Sequence, residues 1–148
     1  MGRNFIVIFV LAMVFTLVAS CSEKHRLFVG GFNKPGEKGM SVYEFDEGSG
    51  KLTSLAQADV GPAPSYFCYS AGKQLMYVIN EVMEFKGEFG GGLSTFRVDK
   101  TGTHFEKQNE MLIPYAGPCY ISMSPDSGYI FIANYPNGSV AVVRLDGN

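Results

Sequence analysis

The chain has 148 residues, of which 46% are hydrophobic and 18% are charged. These proportions suit about one globular domain and exclude a disordered, collagen-like or coiled-coil protein. The net charge is −2 and no run of basic residues occurs, so nucleic acid is not expected as a partner. Many glycines and aromatic residues, with few alanine-rich or leucine-rich stretches, favour strands and turns and predict an all-β fold.

Residues 1–20 have the pattern of a signal peptide. Arg3 precedes an uncharged apolar run, 5–18, which is shorter than the roughly twenty residues of a membrane-spanning helix. Small residues then lead to Cys21, and this ending resembles the signal of bacterial lipoproteins, whose cysteine is acylated and becomes the new N-terminus. The resemblance implies export and a lipid anchor at Cys21 in a bacterial membrane, facing the periplasm or the cell surface, with residues 21–26 as a tether. An uncleaved anchor helix is the alternative.

A repeat with an offset of 54 residues runs through the rest of the sequence. Residues 64–71 align with residues 118–125, and the same offset aligns residues 75–80 with residues 129–134. Turn sequences such as Asn137-Gly138 separate the short apolar segments and indicate hairpins. Four short strands in about fifty residues are typical of one blade of a β-propeller.

The repeat therefore predicts a partial β-propeller of four-stranded antiparallel blades, of which about two and a half are present. Blade one takes residues 27–60, blade two 61–114 and blade three 115–148, and only blade two has all four strands. A small open sheet assembly is the alternative. The ten predicted strands cover residues 27–32, 40–46, 52–59, 65–70, 75–80, 93–99, 105–112, 119–124, 129–134 and 140–146.

Several short segments together resemble one family of propellers. In their order and spacing they look like the seven-bladed propeller lactonases, which include bacterial 6-phosphogluconolactonases and fungal carboxymuconate-lactonising enzymes. The resemblance covers residues 27–148 and implies hydrolysis of a phosphorylated sugar lactone of the pentose phosphate pathway, without a metal or other cofactor. The segments that carry it are LFVGGF at 27–32, VYEFD at 42–46, GKL at 50–52, NE at 80–81, GPC at 117–119, SPD at 124–126, ANY at 133–135 and GSV at 138–140.

Antiparallel pairing predicts one cluster of candidate site residues at a mouth of the channel. The innermost strand of each blade begins at the edge where the next strand ends. Four side chains are expected at that edge: Asn80, Glu81, Tyr120 and Asn134. Glu81 is the strand-end carboxylate at this mouth and is the candidate general base, although a solvated strand end is the alternative. Asn80, Asn134 and the loop residue Lys86 are candidate substrate contacts, and the two repeated asparagines would also suit a structural role in turns.

Tyr120 is a departure from the family that the sequence resembles. Members commonly carry His directly after Gly-Pro-Cys, and that imidazole is a proposed catalytic base. Tyrosine, with a reference pKa of about 10, is a poor base at neutral pH but can donate a hydrogen bond to an oxyanion. Its repeat partner Tyr66 favours packing for both rings. The departure leaves a second function open, a lipid-anchored, non-catalytic propeller that binds a saccharide or a partner protein.

Other polar and glycine residues have simpler interpretations. Residues 90–92, three consecutive glycines, could line a phosphate nest, but a flexible hairpin loop is the expected role. No metal site is predicted, because His25 and His104 fall on the tether and on an outer strand. Export would permit a disulfide between Cys68 and Cys119, and two buried thiols are expected instead.

Overall fold

The structure is a computed structural model that describes residues 23–34 and 36–145. The predicted signal peptide, the predicted lipidation site Cys21 and the last predicted strand residue, Asp146, lie outside these ranges. The described part is all-β, which confirms the prediction, and its strands pair antiparallel throughout. No helix in the two ranges has the length and hydrophobicity that crossing a bilayer requires.

Blade one is a three-stranded sheet whose strands lie in chain order: β1 (Lys24–Gly30), β2 (Met40–Asp46) and β3 (Lys51–Ala58). β1 begins three residues before the predicted strand. Lys24 and Arg26 both bind the Glu44 carboxylate on β2, with N···O distances of 2.8 Å and 3.2 Å. These ion pairs stabilise the pairing of β1 with β2 at polar residues, which the hydrophobic pattern does not identify as a strand.

Blade two is a four-stranded sheet and blade three a three-stranded sheet, as the repeat predicts. In blade two the order is β4-β5-β8-β9, and in blade three it is β10-β11-β12. The remaining strands are β4 (Tyr66–Ser70), β5 (Leu75–Asn80), β6 (Glu84–Phe85), β7 (Glu88–Phe89), β8 (Gly91–Val98), β9 (Phe105–Ile113), β10 (Pro118–Met123), β11 (Tyr129–Asn134) and β12 (Ser139–Arg144).

The small hairpin β6–β7 is the one element that the repeat does not predict among the described residues. It occupies the loop between β5 and β8, where blade two inserts extra residues. Lys86 and Gly87 form its tip, with φ values of 56° and 86°. Positive φ at both central residues is the geometry of a type I′ turn, which matches the twist of the flanking strands.

The hydrophobic core lies between the blades, because blade two is apolar on both faces. On β5, Met76 and Val78 belong to the cluster shared with blade one, whereas Tyr77 and Ile79 belong to the cluster shared with blade three. This alternation is the period of two that places successive side chains on opposite faces of a strand. Blade two is thus held by apolar contacts on each side.

Blade three buries one face and exposes the other within the described chain. Val140 pairs with Ala133 on β11 as Leu93 pairs with Ile79 on β5, so the two residues are equivalent in the repeat. Leu93 is 3% exposed beneath blade three, but Val140 is 63% exposed. The outward side chains of β12 thus present an apolar sheet face of the kind that blade two buries.

We predict that the inter-blade core dominates stability. Val78→Ala deletes two methyl groups from a fully buried site, whereas Val142→Ala removes the same atoms from a side chain on the exposed face of β12. The first variant should lower the free energy of unfolding by about 2 kcal/mol, because burial is lost and a cavity remains. In the 148-residue chain, where that face is exposed, the second should change it by less than about 0.5 kcal/mol. Urea titration checks both values, and equal losses would contradict the proposed location of the core.

Candidate functional site

The predicted mouth of the channel lies at the edge where strand starts and strand ends meet. Tyr66 on β4 pairs with Ile79 on β5, and Pro118 on β10 pairs with Asn134 on β11. The expected edge therefore exists in blades two and three. Asn80 and Asn134 end their strands there, and Glu81 follows directly after β5.

Asn80 is fully buried, and its side-chain amide is engaged inside the protein. Its nitrogen donates to the carbonyl oxygens of Val60 at 3.1 Å and Pro62 at 2.9 Å. Its oxygen accepts from the Ser94 hydroxyl at 2.9 Å. The structure thus places Asn80 in a supporting network, in line with the turn role that the sequence left open, and its substrate role stays a prediction.

Asn134 occupies the same place in blade three but has fewer partners. Its side-chain nitrogen donates to the Ser139 hydroxyl at 3.3 Å, and its buried oxygen has no hydrogen-bond partner among the described residues. Ala141 is the equivalent of Ser94 in blade two, because Ser94 pairs with Val78 and Ala141 pairs with Ile132, 54 residues further along the chain. The hydroxyl that satisfies the Asn80 oxygen is therefore missing in blade three.

Glu81 lies at the mouth with its carboxylate available. Its backbone N–H donates to the carbonyl of Ala63 at 2.9 Å, which ties it to the segment that leads into β4. The residue is half-buried, and no described residue forms a hydrogen bond or ion pair with its carboxylate. A carboxylate without a partner can accept a proton from water, so Glu81 stays the candidate general base.

Tyr120 on β10 and Tyr66 on β4 lie together where blades two and three adjoin. Their ring centroids are 5.0 Å apart and the ring planes meet at 56°, so the expected packing of the two rings is present. The two residues are 48% and 43% exposed, and neither hydroxyl has a partner in the described part of the chain. Both phenols can therefore donate to a bound molecule.

Lys86 lies away from this ring pair. Its ammonium group binds the Glu110 carboxylate on the outer strand β9, and Lys107 binds the same carboxylate at 3.0 Å. These three side chains line a cavity of about 550 Å³ that also contains Lys34 and Lys38 but neither tyrosine. The structure thus places Lys86 in a cavity that neither tyrosine lines, and its role in substrate binding stays a prediction.

The glycines after β7 are needed for close packing. A Cβ on Gly92 would come within 2.5 Å of the Phe85 ring, and a Cβ on Gly91 within 2.2 Å of the Pro118 side chain. Phe85 belongs to β6, and its side chain is buried. Backbone approach to neighbouring side chains therefore explains this run, which the sequence alone leaves between a phosphate nest and a flexible loop.

Potential metal ligands within the two described ranges form one trio, Glu23, His25 and Glu47, and all three are exposed. The His25 ring nitrogen lies 3.2 Å from the Glu47 carboxylate, as in a surface ion pair. Cys68 and Cys119, the two cysteines in the described ranges, are free, as expected. Burial raises the pKa of the Cys68 thiol to about 11, and the Cys119 thiol donates to the carbonyl of Ala133 at 3.6 Å.

Together these observations define a class of protein, a β-propeller of antiparallel blades with a carboxylate and two phenols at the edge where the first strands of blades two and three begin. The family model "Lactonase, 7-bladed beta-propeller" matches residues 26–148. The chain belongs to this family of seven-bladed propeller lactonases, as its sequence motifs imply.

Two relatives illustrate the similarity. The 6-phosphogluconolactonase of Bacillus subtilis (strain 168) is 27% identical over 127 residues, which cover 84% of this chain and 35% of that protein. The structure of the Pseudomonas aeruginosa periplasmic gluconolactonase PpgL matches with a TM-score of 0.74 and 28% identity, over 84% of this chain and 36% of that one. The chain thus spans about a third of the length of these relatives.

Proposed function

We propose that the protein hydrolyses a sugar lactone, with Glu81 as the general base at the channel mouth. The observation that carries this proposal is the half-buried, unengaged Glu81 carboxylate at the mouth of a lactonase-family propeller. The two relatives described above support the substrate class, since one is a 6-phosphogluconolactonase and the other a gluconolactonase.

In the proposed reaction, Glu81 takes a proton from a water molecule whose oxygen attacks the carbonyl carbon of the lactone. The Tyr120 hydroxyl donates a hydrogen bond to the oxyanion that forms. The bond between the carbonyl carbon and the ring oxygen then breaks, and the ring oxygen receives the proton from Glu81. The product is an open-chain hydroxy acid. Each step is assigned to a side chain, so the proposed chemistry uses no metal ion or cofactor.

The proposal predicts a selective loss of activity in Glu81→Gln, which keeps the shape of the side chain but removes the base. In the full-length protein, the rate of gluconolactone hydrolysis should fall by about a hundredfold or more. Tyr120→Phe should lower it by about tenfold, because the oxyanion loses a donor. Tyr120→His should raise it if an imidazole adds a second base. Titration of released acid at constant pH measures each rate.

Glu84→Gln is the matched control, because Glu84 lies on the exposed hairpin strand β6 and forms no part of the proposed reaction. Its rate should equal that of the unchanged protein, as should the rate in the presence of a chelator. Full activity in Glu81→Gln would show that another group is the base. Absence of hydrolysis in every form, together with saccharide or protein binding, would favour the non-catalytic propeller.

We also propose that the protein is exported and anchored by a lipid on Cys21. The periplasmic location named for the Pseudomonas relative supports export, and the apolar run that ends in small residues before Cys21 supports lipidation. The short segment between Cys21 and β1 would then place the propeller next to the membrane surface.

Cys21→Ser should abolish incorporation of labelled fatty acid and release the protein from the membrane fraction, because the acylated thiol is lost. Cys68→Ser is the control, since Cys68 lies on β4 inside the propeller, and it should keep both the label and the membrane location. Equal labelling of Cys21→Ser and the unchanged protein would contradict the anchor.

A further inference from the structure

The first strand, β1, runs towards the mouth edge, which is the edge of the blades where β4 begins and β5 ends. Its last residue, Gly30, lies at that edge, because a Cβ there would come within 2.2 Å of the carbonyl oxygen of Pro64, just before β4. Its first residue, Lys24, pairs with Asp46 at the opposite edge of blade one. The chain therefore enters the propeller at the edge opposite the candidate site. This direction is set within blades one and two and does not depend on further blades.

The chain before β1 is also fixed to the opposite edge. The carbonyl oxygen of Glu23 accepts a hydrogen bond at 3.1 Å from the N–H of Glu47, in the turn that follows β2. Cys21 lies outside the described ranges, but it is two residues from Glu23 in the sequence. An extended chain spans at most about 3.6 Å per residue, so Cys21 lies within about 7 Å of Glu23.

This distance is too short for a lipid on Cys21 to bring the mouth edge to a bilayer. The seven residues of β1, with a rise of about 3.3 Å per residue, separate the two edges by about 20 Å. A mouth that faced the bilayer would need a connecting segment of at least that length. The roughly 7 Å available is about a third of it.

The position of β1 within its sheet also opposes a propeller that lies on its side. The strand order β1-β2-β3 places β1 two strand spacings, or about 10 Å, from the outer strand β3. The opposite edge, in contrast, continues from the anchor into blade two. Arg26 Nε on β1 donates to the carbonyl of Thr101 at 2.7 Å, in the turn between β8 and β9. Turns of two blades thus lie beside the proposed anchor.

We propose that the opposite edge faces the bilayer and that the mouth edge faces the surrounding water. The partner of the opposite edge is the lipid headgroup surface, and the acyl chains on Cys21 hold the two together. This inference rests on the proposed anchor and adds its orientation. Lactones dissolved in the aqueous phase then reach Glu81 without entering the bilayer.

Three introduced cysteines test the orientation: Lys100→Cys at the opposite edge, Met83→Cys at the mouth edge and Ser54→Cys on the outer strand β3. All three native side chains are exposed. Each full-length variant, isolated with its lipid, is labelled with a thiol-reactive fluorophore and reconstituted into phosphatidylcholine vesicles that carry a nitroxide on the headgroup. Quenching at position 100 should be at least about threefold stronger than at the other two positions, because only the opposite edge lies within reach of the headgroups.

The unchanged protein is the control for labelling of native thiols. Burial raises the pKa of the Cys68 thiol to about 11, and Cys119 is half-buried, so both should react weakly. A second control inserts ten Gly and Ser residues after Ser22, which adds up to about 36 Å of chain. Either edge can then reach the bilayer, and the difference between the three positions should fall below about twofold.

The possible outcomes separate the orientation from the anchor and from catalysis. Strongest quenching at position 83 or 54, or equal quenching at all three positions, would overturn the orientation and keep the anchor. A difference that persists with the longer segment would also overturn it, because the short connection would not be its cause. A protein that does not float with the vesicles would reject both. Quenching requires no hydrolysis, so inactive Glu81→Gln should give the same pattern.

Discussion

The arrangement of the channel mouth depends on the buried side-chain amide of Asn80. Its nitrogen joins the carbonyls of Val60 and Pro62, and its oxygen holds the hydroxyl of Ser94. Gly61 lies between the two carbonyls with a φ of 91°, and a Cβ there would come within 2.7 Å of the amide nitrogen. One side chain therefore links the end of β5, the loop after β3 and the strand β8. An unpaired amide in this buried position would cost the desolvation of its polar atoms.

The hydrogen bonds of Asn80 also help to fix the residues that are proposed to carry out the chemistry at the mouth. Glu81 follows Asn80 directly, and its N–H binds Ala63 in the loop that the amide holds. That loop leads into β4, which begins at Tyr66, so the same loop supports Glu81 and one ring of the tyrosine pair. Asn134, by contrast, has one long hydrogen bond, and its oxygen has no partner in the described part of the chain. The part of the mouth between blades one and two is therefore the more firmly positioned.

The sequence predicts the strands well because the repeat preserves the alternation of buried and exposed positions. Three predicted strands, 40–46, 75–80 and 129–134, agree with the structure to the residue. The hairpin tip at Lys86 was not predictable, because a lysine with positive φ lacks the usual Asn-Gly signal. The role of Gly92 and the pairing of Lys86 with Glu110 depend on contacts between distant segments, which no local pattern contains. The sequence likewise brings candidate residues to one edge without distinguishing the engaged Asn80 from the available Glu81.

Amide hydrogen exchange at Glu81 is the most direct test of the dependence of the mouth on Asn80. Asn80→Ala removes three hydrogen bonds, and the Glu81 N–H, which binds Ala63, should then exchange at least about tenfold faster, because local opening becomes easier. Asn134→Ala, the equivalent change in blade three, should leave the Glu81 amide unaffected. Equal protection of this amide in Asn80→Ala and in the unchanged protein would contradict the account.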